Sequence, residues 1–312
     1  MISRRLIRIK ALQILYAYSK KGDVSSLNAE KELFHSIDKY YDLYIMLLAL
    51  PQEIAELERK KILQRRQKRF ATEEELNPNL NFQDNQFIEK MSNSHELAEV
   101  IEKRKLNWKA YPDFLKQVYS TFIKSEVYED MMKSSDNDFK KDKELIIRFY
   151  TDFLVQEKNF LEFIEEESIY WNDDLSFALL MLVKTLERVN VLGRLKLLPM
   201  FKNEDDRDFA KILLRKTIVN AEEYLKIIEK HTKNWDPDRI AQTDRMILQL
   251  AIAEVLEFSS IPVKVTLNEY IEISKYYSTE KSKTFINGLL DQIIKSLSKE
   301  NRIKKTGRGL VG

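Results

Sequence analysis

The sequence predicts an all-α protein, and three observations carry that prediction. Glycine and proline contribute six residues each to 312, where an ordinary globular chain carries about 12% of the two together. Sheets, hairpins and barrels need such residues at their turns, so an all-β fold is close to excluded. Charged residues make up 33% and hydrophobic ones 44%, the mixture of amphipathic helices with solvated outer faces. Apolar residues also recur at helical spacing along nearly the whole chain.

The elements follow in order. Ile7, Ala11, Ile14 and Leu15 form the apolar stripe of a first helix ending near Lys20, before Gly22. Residues 27–50 and 52–69 make one or two long helices, with Pro51 as a boundary or kink. Across 71–94 the period fails, and Asn77-Pro78-Asn79, Asn81, Asp84, Asn85, Ser92 and Asn93 mark the most loop-like stretch. Helices resume at 95–106, 112–133, 140–168 and 174–189. After a turn at 190–193 and a break at 199–205 come 206–231, 238–257, 263–276 and 282–298, then a basic tail to Gly312. The sequence Phe160-Leu161-x-x-Ile164-Glu165 followed by Trp171-Asn172 echoes Tyr224-Leu225-x-x-Ile228-Glu229 followed by Trp235-Asp236. Either a duplicated helical hairpin or similar hairpins using similar residues accounts for it, and two copies do not make a solenoid.

Composition excludes several classes of chemistry. With no cysteine, disulfides and thiolate metal sites are impossible, in keeping with a reducing compartment. The three histidines form no metal set. His95-Glu96 is followed by Glu99 where a zinc protease needs a second histidine, and Glu32-x-x-His35 lacks the second pair of a di-iron bundle. Glycine-rich phosphate loops and nucleophile elbows are absent. The expectation is a non-enzymatic protein without metal or cofactor. No apolar run approaches the about 18 residues of a membrane span, and Arg8 and Lys10 interrupt any secretory signal. A soluble, cytoplasmic protein with no membrane contact is expected.

Charge placement says more than the net charge of +2. Arg4, Arg5, Arg8, Lys10, Lys20 and Lys21 precede the first acid, Asp23. Arg5, Arg8 and Tyr16 fall within about a quarter turn on a helix. Guanidinium groups beside an aromatic ring suit RNA, supplying phosphate neutralisation and a stacking surface. An ordinary first helix with solvated arginines and a core Tyr16 has the same pattern. A second acid-free run, Arg59, Lys60, Lys61, Arg65, Arg66, Lys68 and Arg69, reads equally as a phosphate-binding surface or as a solvated helix end favoured by the dipole.

The last ~75 residues are more specific. Asp238-Arg239-Ile240, Thr243-Asp244-Arg245-x-Ile247-Leu248-x-Leu250-Ala251-x-Ala253-Glu254, Ile261-Pro262-Val263-Lys264-Val265-x-Leu267-Asn268-Glu269 and Phe285-Ile286-Asn287-Gly288-Leu289-Leu290-Asp291 occur in that order. This succession closely resembles the NusB-type bacterial transcription antitermination factors. At the other end Ser3-Arg4-Arg5 and Ala11-Leu12-Gln13-x-Leu15-Tyr16 resemble that family's first helix.

The resemblance implies a NusB-like helical bundle with an extra inserted helical region. Residues 1–70 would be the N-terminal helices, 71–200 the insertion with a flexible stretch near 71–94, 201–298 the C-terminal domain and 299–312 a basic flexible tail. It further implies an RNA-binding factor that recognises boxA-type RNA with ribosomal protein S10, within the transcription elongation complex, to support ribosomal RNA transcription. Positions matching the family's RNA surface are Arg4, Arg5, Arg8, Gln13 and Tyr16, then Ser282, Phe285 and Asn287, with Lys281 beside them as a further RNA-binding candidate. Asp244 and Arg245 match a position near the S10 partner, on what reads as an exposed helix face. Lys281 departs from the family, which commonly carries an acid there. Phe285 reads equally as the start of the apolar face continued by Leu289 and Ile293. Gly288 reads as a close helix-packing position. A helical protein-interaction scaffold that kept the fold without boxA recognition is the alternative, and an accessory module for an RNA-modifying enzyme in another chain is a third.

Overall fold

Ser3 opens the fold: its side chain accepts a hydrogen bond from the Leu6 amide at 3.1 Å and caps α1 (Arg4–Ser19). The chain is described by a computed structural model over residues 1–20, 25–133, 138–232 and 240–310, without the side chains of Glu280 and Lys281. Among the described residues every regular element is helical. After α1 come α2 (Ser26–Arg66), α3 (Glu73–Leu76), α4 (Gln86–Ser92), α5 (His95–Arg104), α6 (Pro112–Phe122), α7 (Glu126–Lys133), α8 (Phe139–Arg148), α9 (Lys158–Glu167) and α10 (Leu175–Glu187). Then follow α11 (Glu204–Val219), α12 (Ala221–His231), α13 (Gln242–Glu257), α14 (Val263–Tyr277) and α15 (Glu280–Lys299). No helix among these residues is long and apolar enough to cross a membrane.

The chain divides into two units, Asp38–Met200 with Met1, and Ile2–Ile37 with Phe201–Gly312. In the first, the helix α2 runs unbroken through Pro51. Proline has no amide hydrogen, so the carbonyl four residues earlier, at Leu47, loses its helical donor. The buried Tyr150 hydroxyl supplies the replacement, donating to the Leu47 carbonyl at 2.7 Å. Beside it the Trp108 indole donates to the Met46 carbonyl at 2.6 Å. Two external donors therefore hold the helix together where the sequence alone suggests a kink.

The stretch 71–94 makes more tertiary contacts than its lost periodicity suggests. Asn85 is buried and its side chain caps α4 by accepting from the amides of Phe87 and Ile88. Asn79 and Asn81 both donate to the Met132 carbonyl. Phe82 lies in the core, packed edge-on against Phe122 and Tyr128. The asparagines that read as loop residues serve as a cap and as tertiary donors. The expected helix 112–133 splits at 123–125, where Ser125 Oγ donates to Phe122 and accepts from the Tyr128 amide. The expected helix 140–168 passes through a π turn at Phe149–Phe153 and a 3-10 turn before Glu157 caps α9. That at 206–231 breaks at Asn220.

The second unit is built around α13, which is apolar on nearly all sides: Ile247, Leu248, Leu250, Ala251, Ile252 and Ala253 are all buried. Such a helix must be enclosed. The helices α1, α11, α12, α14 and α15 all pack against it. Within the stretch expected to be a basic tail, Lys305, Thr306 and Gly309 are tied down. Lys305 Nζ donates to the carbonyls of Val255 and Phe258 at 3.0 and 2.9 Å, closing the last turn of α13. Gly309 presses on the Ser259 carbonyl so closely that a Cβ would lie 1.9 Å from its oxygen, so only glycine fits. At Gly288 the packing expectation fails: a Cβ there would meet open space. The Trp235-Asp236 half of the internal echo lies outside the described residues.

Candidate nucleic-acid interface

The first helix lacks acids of its own, and the rest of the unit supplies them. Arg4 Nε lies 2.7 Å from Asp206 Oδ1 of α11, with its guanidinium 5.0 Å from the Phe209 ring centroid. Arg5 makes a two-pronged pair with Glu269 of α14, at 2.7 and 3.0 Å. Arg8 turns fully inward. Its Nε and Nη2 each lie 2.7 Å from one oxygen of Glu254, and its Nη1 lies 3.3 Å from Glu269.

Glu254 is 0% and Arg8 3% exposed. The Glu254 carboxylate also accepts from Thr266 Oγ1 at 2.8 Å and Tyr270 OH at 3.2 Å. Every lone-pair direction of the buried anion is therefore occupied, which is the condition under which a buried ion pair is tolerated. Burial pulls the Arg8 pKa down, but the hydrogen bonds and charge of Glu254 outweigh it and the net shift is upward. Burial first, and the Glu254 charge second, push the Tyr270 hydroxyl well above the ordinary phenol range. Neither group titrates near neutrality.

On the outer side of α1, Tyr16 is 44% exposed, so it is a surface ring and not a core one. Lys20 Nζ lies 5.3 Å from its centroid, and Gln13 is half-buried. Beside the start of α1 is an open groove of about 630 Å³, lined among others by Arg5, Arg308, Pro262 and Val265. Cations sit there over an apolar floor.

The α15 residues form a separate group. Thr279 caps α15 through the Ser282 amide, and the Ser282 hydroxyl lies 2.9 Å from that of Thr279, leaving Ser282 buried. Phe285 is half-buried and lines a groove of about 360 Å³ with His231, Gly288 and Leu289, while Asn287 is exposed. The side chain of Lys281 lies outside the described residues. On α13, Asp244 is 4% exposed and accepts a hydrogen bond from the Ser278 hydroxyl. This corrects its reading as an exposed-face residue: the carboxylate ties the start of α13 to the end of α14. Arg245 is half-buried and donates to the Ile240 carbonyl at 3.1 Å.

Sequence reasoning named the arginines and missed their partners, Asp206, Glu254 and Glu269. The signal was present, since Ala253-Glu254 and Leu267-Asn268-Glu269 belong to the motifs quoted above. Those motifs are therefore partly an ion-pair core.

A model of the NusB family matches residues 177–295. The transcription antitermination protein NusB of Salinibacter ruber is 47% identical over 114 residues, 36% of this chain and 71% of that protein. Its counterpart in Chloroherpeton thalassium is 40% identical over 105 residues, 34% of this chain and 50% of that protein. That of Natranaerobius thermophilus is 35% identical over 116 residues, 36% of this chain and 84% of that protein. No solved structure gives a significant match. The family match starts at α10 and leaves α1 outside it, yet α1 delivers Arg8 to a glutamate within the matched stretch. A relative 47% identical and covered over 71% of its length, on a scaffold that is helical throughout its described residues, places this chain in the NusB family.

Proposed function

We propose that the chain is an RNA-binding transcription antitermination factor. It recognises a boxA-type element of nascent transcripts together with ribosomal protein S10, and it works in the elongation complex as an adaptor without catalytic chemistry. The single observation that carries this reading is the match to proteins named as transcription antitermination factors, over most of the length of two of them. The surface of α1 supports it: the exposed Tyr16 ring offers a stacking surface, and Arg5, exposed on the same helix, would exchange its Glu269 partner for a phosphate.

Roles within the proposal follow burial. Arg4, Arg5, Gln13 and Tyr16 meet RNA from α1, and Phe285 and Asn287 meet it from α15 with Lys281. Arg8 and Ser282 act from beneath, holding α1 and the start of α15 in place. Arg245 meets the protein partner, and Asp244 fixes the turn beside it.

Filter binding with a boxA-like dodecamer, with and without S10, tests the reading. Binding strengthened by S10 and weakened by Tyr16→Ala and Arg5→Ala is expected. Equal retention of boxA-like and scrambled RNA, unaffected by S10, would overturn it and leave a helical scaffold.

A further inference from the structure

A second cluster of cations lies in the other unit. In α2 and the turn after it, Arg59, Lys60, Lys61, Arg65, Arg66, Lys68 and Arg69 occur without an acid among them. Few acids reach the run, and the charges of Glu58 and Glu75 both act on Arg65 although neither forms an ion pair with it. Glu56 pairs with Arg59 and Lys60, at 3.1 and 3.8 Å, and Glu75 takes Lys68. Among the described residues Arg65, Arg66 and Arg69 have no ion pair. Lys61 lies over the Tyr119 ring at 4.1 Å, and its pKa is lowered by burial and then by the neighbouring charges of Arg65 and Lys116.

Two apolar side chains stand out among these cations. Leu63 is 50% and Phe70 85% exposed, and the Arg69 guanidinium lies 5.5 Å from the Phe70 centroid. On a helix of 3.6 residues per turn, Arg59, Leu63 and Arg66 share one face, with Phe70 just beyond the end. A helix C-terminus favours bases in its last turn. That accounts for Arg65 and Arg66, but not for Arg69 outside the helix or for an aromatic ring left in water.

We propose that the end of α2, through Arg65, Arg66, Arg69 and Phe70, is a second RNA-binding surface that grips single-stranded RNA without sequence preference. Cations neutralise the backbone and Phe70 stacks a base, the combination that serves single strands whatever their sequence. A lipid surface would ask for a continuous apolar face, and here one leucine and one ring stand among charges. The inference rests on the reading of the protein as RNA-binding. It adds contacts outside the residues matched to the family.

The test uses the full chain, a labelled uridine 20-mer and the boxA-like dodecamer, each titrated across salt. Arg66→Glu/Arg69→Glu is expected to bind the uridine 20-mer about tenfold more weakly at ~100 mM salt. Its slope of log affinity against log salt should fall by about 1.4, at about 0.7 per single-strand phosphate contact. Phe70→Ala should cost about fivefold with the slope unchanged, since stacking releases no counterion. Both variants should keep the dodecamer within about twofold of the parent. Wild-type affinity and slope in both variants would overturn the proposal. So would failure of the parent chain to bind the uridine 20-mer at ~50 mM salt. Loss of binding to phosphatidylserine vesicles with RNA binding intact would overturn it in favour of a membrane surface. If the parent chain does not distinguish boxA-like from scrambled RNA while the variants still lose the uridine 20-mer, the antitermination reading fails and this surface stands.

Discussion

Two basic stretches look alike in the sequence and behave differently in the fold. The run on α1 has no acid within its own helix, yet Arg4, Arg5 and Arg8 all meet carboxylates from α11, α13 and α14. The run at the end of α2 keeps Arg65, Arg66 and Arg69 outside any ion pair among the described residues. Charge counted along a sequence measures neither burial nor neutralisation. The partners of Arg4, Arg5 and Arg8 lie more than 200 residues away, where no local window reaches them.

The largest expected effect sharpens the buried half of that comparison. Glu254→Ala strands the Arg8 guanidinium and removes the acceptor of Thr266 and Tyr270. The loss should be about 3–5 kcal/mol in urea unfolding, and pairing it with Arg8→Met should recover much of it. A single-variant loss below about 1 kcal/mol would mean that the pair is more solvated than its geometry indicates. Asp244→Lys comes next. Burying a cation against the Ser278 hydroxyl should cost about 2–3 kcal/mol, whereas a truly exposed Asp244 would give a change under about 0.5 kcal/mol.

Two smaller effects concern the support of α2 beneath its basic end. Tyr150→Phe leaves the Leu47 carbonyl opposite Pro51 without a donor and should cost about 1–2 kcal/mol. An unchanged melting temperature would show that water or helix bending satisfies that carbonyl instead. Glu58, on the inner side of α2, is buried and accepts from the Tyr128 hydroxyl. Burial raises its carboxyl above the ordinary 4.5, so the folded chain holds that proton more tightly than the unfolded one. The contribution favours folding at pH below 4.5 and is lost as pH rises through the folded value. Glu58→Gln should therefore raise the melting temperature slightly at pH 7, by under about 1 kcal/mol in equivalent stability, and leave it unchanged at pH 4. Equal shifts at both pH values would assign the effect to packing.

The helical architecture was legible because long amphipathic runs carry their own period. The boundaries 95–104, 175–187 and 263–277 lie within a few residues of expectation. Breaks inside the expected helices were not legible. Ser125 and Asn220 interrupt expected helices with no glycine or proline to announce it. Asn85 builds a helix start inside a stretch that reads as loop. Pro51 misleads in the opposite direction, because its remedy, Tyr150, is a tertiary contact. For the candidate site, the residue types on α1 were readable and their depth was not. Arg5 and Arg8 differ by less than one turn, yet one faces water and the other lies beneath it.

The most direct measurement is a side-by-side urea unfolding of Arg8→Met and Arg66→Glu/Arg69→Glu at neutral pH, followed by circular dichroism. The arginine of α1 should prove to be part of the fold and those after Pro51 should not. Arg8→Met is predicted to lower stability by about 3 kcal/mol or more, leaving Glu254 buried without its cation. The double reversal should stay within about 0.5 kcal/mol of the parent. Equal losses in the two variants, or a stable Arg8→Met beside a collapsed double reversal, would contradict this division of charge.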